Sequence, residues 1–196
     1  TINGQPIGEY YGFITQGLFK PEDADTINNV IVITNQPYTI DNSGNKIYAQ
    51  PKAKPGDFRF KDVNGDGRIT DADMVPMGNP NPKYLFGMNI NLEYGWFDLS
   101  VFLQGVAGNK IFNATKFYMF NMDGAFNWSA DYVKNHYREN IYDRAGNLLF
   151  PENHAGKYPR LDPRNENNNF STISDFYMED GAYLRLKNIQ LGITIP

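Results

Sequence analysis

Asp62, Asn64 and Asp66 alternate along the run DVNGDGRITDAD, followed by Gly67 and, at the far end, Asp73. These are oxygen donors at positions 1, 3, 5 and 12 of an EF-hand type calcium loop, with glycine at the sharp turn of position 6. Arg68 would offer its backbone carbonyl at position 7, and Ile69 supplies the apolar residue that follows. A hard divalent cation suits such a set, so Ca2+ is the expected cofactor, held by Asp62, Asn64, Asp66, Arg68 and Asp73. Asp73 stands where an EF-hand has Glu, and no flanking helix pair is visible. The same residues would also make Asn-Gly and Asp-Gly turns that bind nothing. If calcium binds, it orders an acidic loop and does not open a pair of helices.

Little else has the composition of a reactive site. The chain has two histidines, His136 and His154, and no cysteine, which excludes disulfides and thiolate metal or redox centres. No Gly-x-Ser-x-Gly elbow is present. Asp175, Glu179 and Asp180 could be paired for glycosidic chemistry, yet nothing fixes their separation, and they read as a solvated acidic loop. The expectation is a protein that is not an enzyme. A net charge of −4 without a basic cluster excludes a nucleic-acid partner. The sequons at Asn113, Asn127 and Asn169 read as chance in an Asn-rich chain. Aromatics mixed with Asn and Asp in FYMFNMDGAFNW and RNENNNFSTISDFYMEDGAY could stack on sugars or pack the loops on one another.

The elements that must carry these residues are mainly strands. Thirteen Tyr, 14 Phe, 18 Gly and 12 Pro suit strands and turns better than helices. From Tyr84 to Tyr94 the apolar residues Tyr84, Phe86, Met88, Ile90, Leu92 and Tyr94 alternate with Gly87, Asn89, Asn91 and Glu93, and only Leu85 breaks the period. Alternation resumes after Gly95 with Phe97, Leu99, Val101 and Leu103, which predicts a long hairpin with a very tight turn over 84–106. Ten steps of about 3.3 Å give roughly 33 Å. Tilted by about 40°, that rises roughly 25 Å, the height of the apolar band of an outer-membrane barrel. Tyr84 at one end and Tyr94 with Trp96 at the other stand where interfacial aromatics belong. A mean hydropathy of −0.53 does not argue against this, because membrane strands alternate. No run is apolar enough for a spanning helix, and TINGQPIGEY lacks the pattern of a signal peptide.

In 182–196, AYLRLKNIQLGITIP, Leu184 and Leu186 occupy even positions but Ile189, Leu191, Ile193 and Ile195 odd ones, which predicts a bulge near Lys187 and Asn188. Ending on an apolar strand, the chain reads as a piece of something larger. The prolines of 76–82 predict an extended entry that blocks pairing before Tyr84. YTIDNSGNKIY and IYDRAGNLLF repeat an Asp-x-x-Gly-Asn turn and predict two loop hairpins. Within 107–181, NWSADYVKNHY predicts a helix capped by Asn127 or Ser129. One end of the long hairpin is thus a tight turn and the other an elaborate loop region, as in outer-membrane barrels.

Four blocks carry a resemblance: GEYYGFITQGLF, the run from Lys54 through KDVNGDGRITDADMVPMGNPNPKYLFGMNINLEYGWFDLSVFLQGVAGNKIFN, YPRLDP, and SDFYMEDGAYLRLKNIQLGITIP. In this order they resemble the C-terminal part of SusC/RagA-type TonB-dependent outer-membrane transporters, from about Gly8 onward. The resemblance implies antiparallel strands from the C-terminal half of a 22-stranded barrel in the outer membrane of a Gram-negative bacterium. It also implies long extracellular loops and a little helix. The calcium loop, within 57–75, and residues 107–181 would be extracellular, with 182–196 a late barrel strand. Implied partners are a SusD-like lipoprotein, TonB acting through an N-terminal region absent here, outer-membrane lipid, and oligosaccharide or peptide cargo. The plug, TonB box and first half of the barrel are missing from this sequence, and the family normally continues past LGITIP. The competing readings are a soluble secreted calcium-stabilised β module that binds carbohydrate, and a secreted glycosidase fragment.

Overall fold

The computed structural model describes residues 4, 6–120 and 127–195. In chain order the first strands are β1 (Tyr10–Gly12), β2 (Thr15–Leu18), β3 (Ala24–Ile27), β4 (Val30–Ile33), β5 (Tyr38–Ile40), β6 (Lys46–Tyr48) and β7 (Phe58–Phe60). They are followed by β8 (Val75–Gly78), β9 (Tyr84–Tyr94), β10 (Phe97–Ala107), β11 (Lys110–Phe112), β12 (Ile141–Tyr142), β13 (Leu148–Phe150), β14 (Met178–Asp180) and β15 (Tyr183–Ile193). Two short helices, α1 (Ala114–Phe120) and α2 (Ala130–Asn135), interrupt them. The fold is mainly antiparallel β with little helix, and among the described residues no closed barrel forms. Two compact units share the chain: Thr1–Tyr10, Pro76–Phe112 and Met178–Pro196 form one, and Tyr11–Val75 with Asn113–Tyr177 form the other.

The first unit is built on a three-stranded sheet in the order β15-β10-β9, each strand 11 residues long. Phe97 pairs with Tyr94, so the hairpin closes through Gly95 and Trp96 alone. Gly95 has φ +60°, a conformation such a two-residue turn demands and glycine adopts without strain. Across the sheet Ile90, Val101 and Ile189 form one row and Leu92, Leu99 and Leu191 the next. The predicted phase change in β15 is present as a bulge: Phe102 pairs with Asn188 and Leu103 with Leu186, leaving Lys187 extra. One added residue reverses the side-chain alternation, so Leu184 and Leu186 share a face with Ile189, Leu191 and Ile193. All five are exposed, with Leu191 at 69%. The opposite face carries Asn89, Asn91, Ser100, Gln104, Arg185 and Gln190. Leu85, the exception to the alternation, lies in a row with Val106 and Tyr183 on this second face. Gly105 leaves room for the Phe86 ring that lies over it, since a Cβ there would stand 2.3 Å from that ring.

The second unit is held by aromatic clusters instead of a large sheet. Phe120, Tyr132, Tyr158 and Phe170 pack together with Phe176 at their edge, and Phe176 also borders a second cluster of Phe13, Phe58 and Phe60. Phe19, Ile33 and Ala53 make a third. Loop aromatics such as Phe170, Phe176 and Tyr177 therefore pack the loops on one another. Of FYMFNMDGAFNW, residues 121–126 lie outside the described residues. Helix α2 begins where expected, capped by Ser129, whose Oγ accepts from the Tyr132 amide at 3.0 Å. Its Tyr132 is fully buried and donates to the Pro159 carbonyl at 3.1 Å.

The two repeated turns fold identically. Asp41 Oδ1 accepts from the Ser43 and Asn45 amides between β5 and β6, and Asp143 Oδ1 from those of Ala145 and Asn147 between β12 and β13, all at 2.8 Å. The hydrogen bonds from Asn45 and Asn147 hold both carboxyls below the usual range.

Two expectations change. Asp175 is not solvated: its Oδ1 accepts from the Thr15 amide at 2.9 Å and hydroxyl at 2.8 Å, pinning β2. Pro76 lies within β8, where a two-stranded sheet tolerates a missing N–H because one edge needs no partner.

Candidate functional site

Strand β7 delivers the chain into the acidic loop, and its two phenylalanines fix the loop's near end in the second unit's core. Ile69 packs against that same cluster, giving the loop its apolar foot. Asp62 Oδ1 accepts from the Gly65 amide at 2.7 Å and Oδ2 from the Gly67 amide at 2.8 Å. Asn64 Oδ1 accepts from the Asp66 amide at 3.0 Å, Asn64 Nδ2 donates to Asp66 Oδ2 at 3.1 Å, and Asp66 Oδ1 accepts from the Arg68 amide at 2.9 Å. The loop is thus a chain of side-chain-to-backbone turns, each acidic or amide group holding the peptide two to five residues ahead.

Asp73 is fully buried and closes the ring. Its Oδ1 accepts from Val63 at 2.8 Å and Asn64 at 3.3 Å, and its Oδ2 from Thr70 at 2.8 Å. Burial alone would push this carboxyl up, but the amide bonds, led by that of Thr70, outweigh it and hold it below the usual range. Gly67 has φ +77°, and a Cβ there would stand 2.4 Å from the Tyr38 carbonyl oxygen, so the β5–β6 hairpin fits only against glycine. The donor types and their spacing are those of the expected calcium loop, with Asp62, Asn64 and Asp66 turned onto amides of the loop itself. Asp73 is already committed to three amides. Among the described residues the carboxylates of Asp62, Asp66 and Asp73 are not gathered within 4.8 Å of one another; Glu139, Glu152 and His154 are.

The loop rests on a buried polar network that spacing alone did not reveal. Asp57, fully buried, receives Arg160 Nε at 2.7 Å and Arg160 Nη2 at 3.3 Å, while Nη2 also reaches Asp162 Oδ2 at 2.8 Å. Two of the four sequence blocks, one opening at Lys54 and the other YPRLDP, are therefore joined by one guanidinium. Asn169 Nδ2 donates to Asp57 Oδ1 at 2.8 Å, and Asn169 Oδ1 accepts from the Phe58 amide at 3.0 Å and from Asn167. Gln50 brackets β7, donating to the Phe58 carbonyl and accepting from the Phe60 amide, each at 2.8 Å. Burial pushes the Asp57 carboxyl up against the pull of Arg160. Asn169 is fully buried, which excludes its sequon from modification in the folded chain. The signal in the sequence was the lone arginine between prolines and the Asn-rich run after it.

A groove of about 410 Å³ opens beside this junction, lined by Ile31, Pro55, His136, Tyr137, Arg160 and Leu161. His136 is buried and its Nδ1 lies 2.8 Å from the Val133 carbonyl and 3.2 Å from that of Tyr132. Burial, with the Arg138 charge adding to it, holds this imidazole below the usual range. A histidine with a depressed folded pKa binds its proton more readily when unfolded, so stability present above about pH 6.5 is lost as pH falls below it. We expect the melting temperature to fall from pH 7.5 to pH 5.5 and the fall to shrink in His136→Gln, measured by circular dichroism. His154 is exposed, with its Nε2 2.8 Å from Glu139 Oε2.

No known family profile matches the chain. Among curated proteins it is 29% identical over 197 residues to TonB-dependent receptor P3 of Formosa agariphila, covering 98% of this chain and 16% of the receptor. TonB-dependent receptor P26 of the same organism is 30% identical over 141 residues, covering 72% of this chain and 13% of the receptor. TonB-dependent receptor P39 is 24% identical over 210 residues, covering 96% and 19%. Among solved structures, the RagAB peptide transporter matches with a TM-score of 0.49 at 14% identity, over 93% of this chain and 16% of that one. The chain spans less than a fifth of the length of the curated relatives it matches. Over almost all of its length the chain is therefore homologous to one segment of TonB-dependent receptors.

Proposed function

We propose that this chain is part of a TonB-dependent outer-membrane transporter of a Gram-negative bacterium, in which β9, β10 and β15 are barrel strands with their apolar face against lipid. The observation that carries the reading is the continuous exposed apolar face that the Lys187 bulge keeps in register across three 11-residue strands. A soluble protein would have to cover such a face, whereas a membrane barrel uses it. No helix among the described residues is long and apolar enough to cross a membrane, which says nothing of strands. In this reading the barrel has 22 strands and the second unit is an extracellular loop assembly. The transporter works with TonB and a SusD-like lipoprotein to import glycans or peptides and is not an enzyme.

The test is accessibility. Nitroxide labels on Leu191→Cys and Gln190→Cys, placed in the receptor reconstituted in liposomes, should differ: the first relaxed by oxygen and shielded from a polar nickel complex, the second the reverse. Equal exposure of both to the nickel complex would refute the lipid-facing assignment.

The acidic loop in this reading is a calcium clip that stiffens an extracellular loop. Asp62→Ala and Asp66→Ala are each expected to abolish calcium uptake measured by calorimetry, because each removes a charged ligand and a turn that shapes the loop. Unchanged binding would remove calcium from the account.

A further inference from the structure

Away from the acidic loop, Glu139, Glu152 and His154 bring one potential ligand atom each within 4.8 Å of one another. Ile141 pairs with Phe150 in the β12–β13 hairpin, and Arg138 bridges Asn153 in the same antiparallel register. That register sets Glu139 directly opposite Glu152, and Tyr137 opposite His154. Like charges directly opposed on paired strands are destabilising. A cation between them turns that cost into a stabilising interaction.

The three side chains are already aimed at one point. The His154 ring stacks on the Tyr137 ring, 5.1 Å between centroids and 13° from parallel. The Tyr137 hydroxyl donates to Glu139 Oε1 at 2.7 Å, which turns Oε2 toward His154 Nε2 at 2.8 Å. Glu152 Oε2 lies 3.9 Å from the same nitrogen, and one ligand atom from each residue falls within 4.8 Å of the others. Ligands about 2.0–2.1 Å from a tetrahedral zinc ion stand roughly 3.3 Å apart, a spacing these distances bracket.

We propose that Glu139, Glu152 and His154 bind a borderline first-row divalent cation of the zinc class. An imidazole nitrogen with two carboxylates suits such an ion better than calcium or magnesium, which prefer oxygen alone. Tyr137 is the positioning residue, ordering both His154 and Glu139 as outer partners of metal ligands do. Three protein ligands leave one coordination position for water or for a donor from a bound partner.

The experiment is a zinc titration of the folded chain by calorimetry, with cobalt absorption as a spectroscopic readout. One saturable equivalent of zinc is expected, with tetrahedral cobalt bands in the visible. His154→Gln and Glu139→Gln should each weaken zinc at least about tenfold and abolish those bands while keeping the wild-type circular dichroism. Tyr137→Phe should weaken zinc with its ligands intact, and Asp62→Ala should leave it unchanged, which separates this site from the calcium loop. No saturable binding by the wild-type chain, or binding of equal strength in His154→Gln, would overturn the site and leave His154 and Glu139 as a simple ion pair.

Discussion

Replacing Arg160 by alanine is expected to destabilise the second unit by about 3–5 kcal/mol, the range for removing one partner of a buried ion pair. The reason is geometric. Arg160 is the cation against Asp57, a carboxylate with no exposure, and it ties Asp162 into the same pair. Without it Asp57 keeps Asn169 and the Lys54 amide, which are hydrogen bonds without a countercharge. Burial already pushes the Asp57 carboxyl up, and loss of the guanidinium pushes it further. An acid whose folded pKa exceeds its unfolded value binds its proton more readily in the folded state, so its ionisation costs stability as pH rises through that interval. The variant should therefore lose more stability at pH 7 than at pH 5. Urea unfolding followed by Trp128 fluorescence in a Trp96→Phe background would measure this, since Trp128 packs on Tyr132 within the same unit. Arg160→Lys should recover only part of the loss, because an ammonium cannot match the fork that reaches Asp57 and Asp162 together. A loss below about 1 kcal/mol in Arg160→Ala, typical of an exposed pair, would remove this network as the unit's keystone.

The second large effect is expected at Ile189→Lys. Ile189 lies near the middle of β15, in a row with Val101 and Ile90, on the exposed apolar face. A lysine at the bilayer midplane of a barrel costs about 2–4 kcal/mol. Insertion of the receptor into liposomes, read from its heat-modifiable migration, should drop sharply. Gln190→Lys, one residue along and on the opposite face, should insert like the unmodified chain. Equal insertion of both variants would mean that this face does not meet lipid.

Much of the strand architecture was legible because a strand writes its two faces into alternate residues. Tyr84 to Leu103 announced the hairpin, and even the Lys187 bulge showed as a change of phase, since adding one residue reverses the alternation. The Asp-x-x-Gly-Asn turns and the Ser129 cap were legible for a related reason: each is a bond between a side chain and a backbone group at most four residues away. Helix α1 was not foreseen, because ATKFYMF has only seven residues, too few to establish a helical period.

In the acidic loop the sequence determined which donors exist and in what order, and its Asx turns are local enough to follow from that order. That Asp73 would spend its carboxylate on the amides of Val63, Asn64 and Thr70 was decided only when the loop closed on itself. The same division runs through the molecule. Period-two strands and short-range turns are properties of neighbouring residues and can be read along the chain. The meeting of Asp57 with Arg160, or of Glu139 with His154, joins residues separated by 103 and 15 positions. No local spacing encodes the first pair, because Asp57 and Arg160 meet only where Phe58 and Tyr158 both pack on Phe176; the second follows from the register of the β12–β13 hairpin.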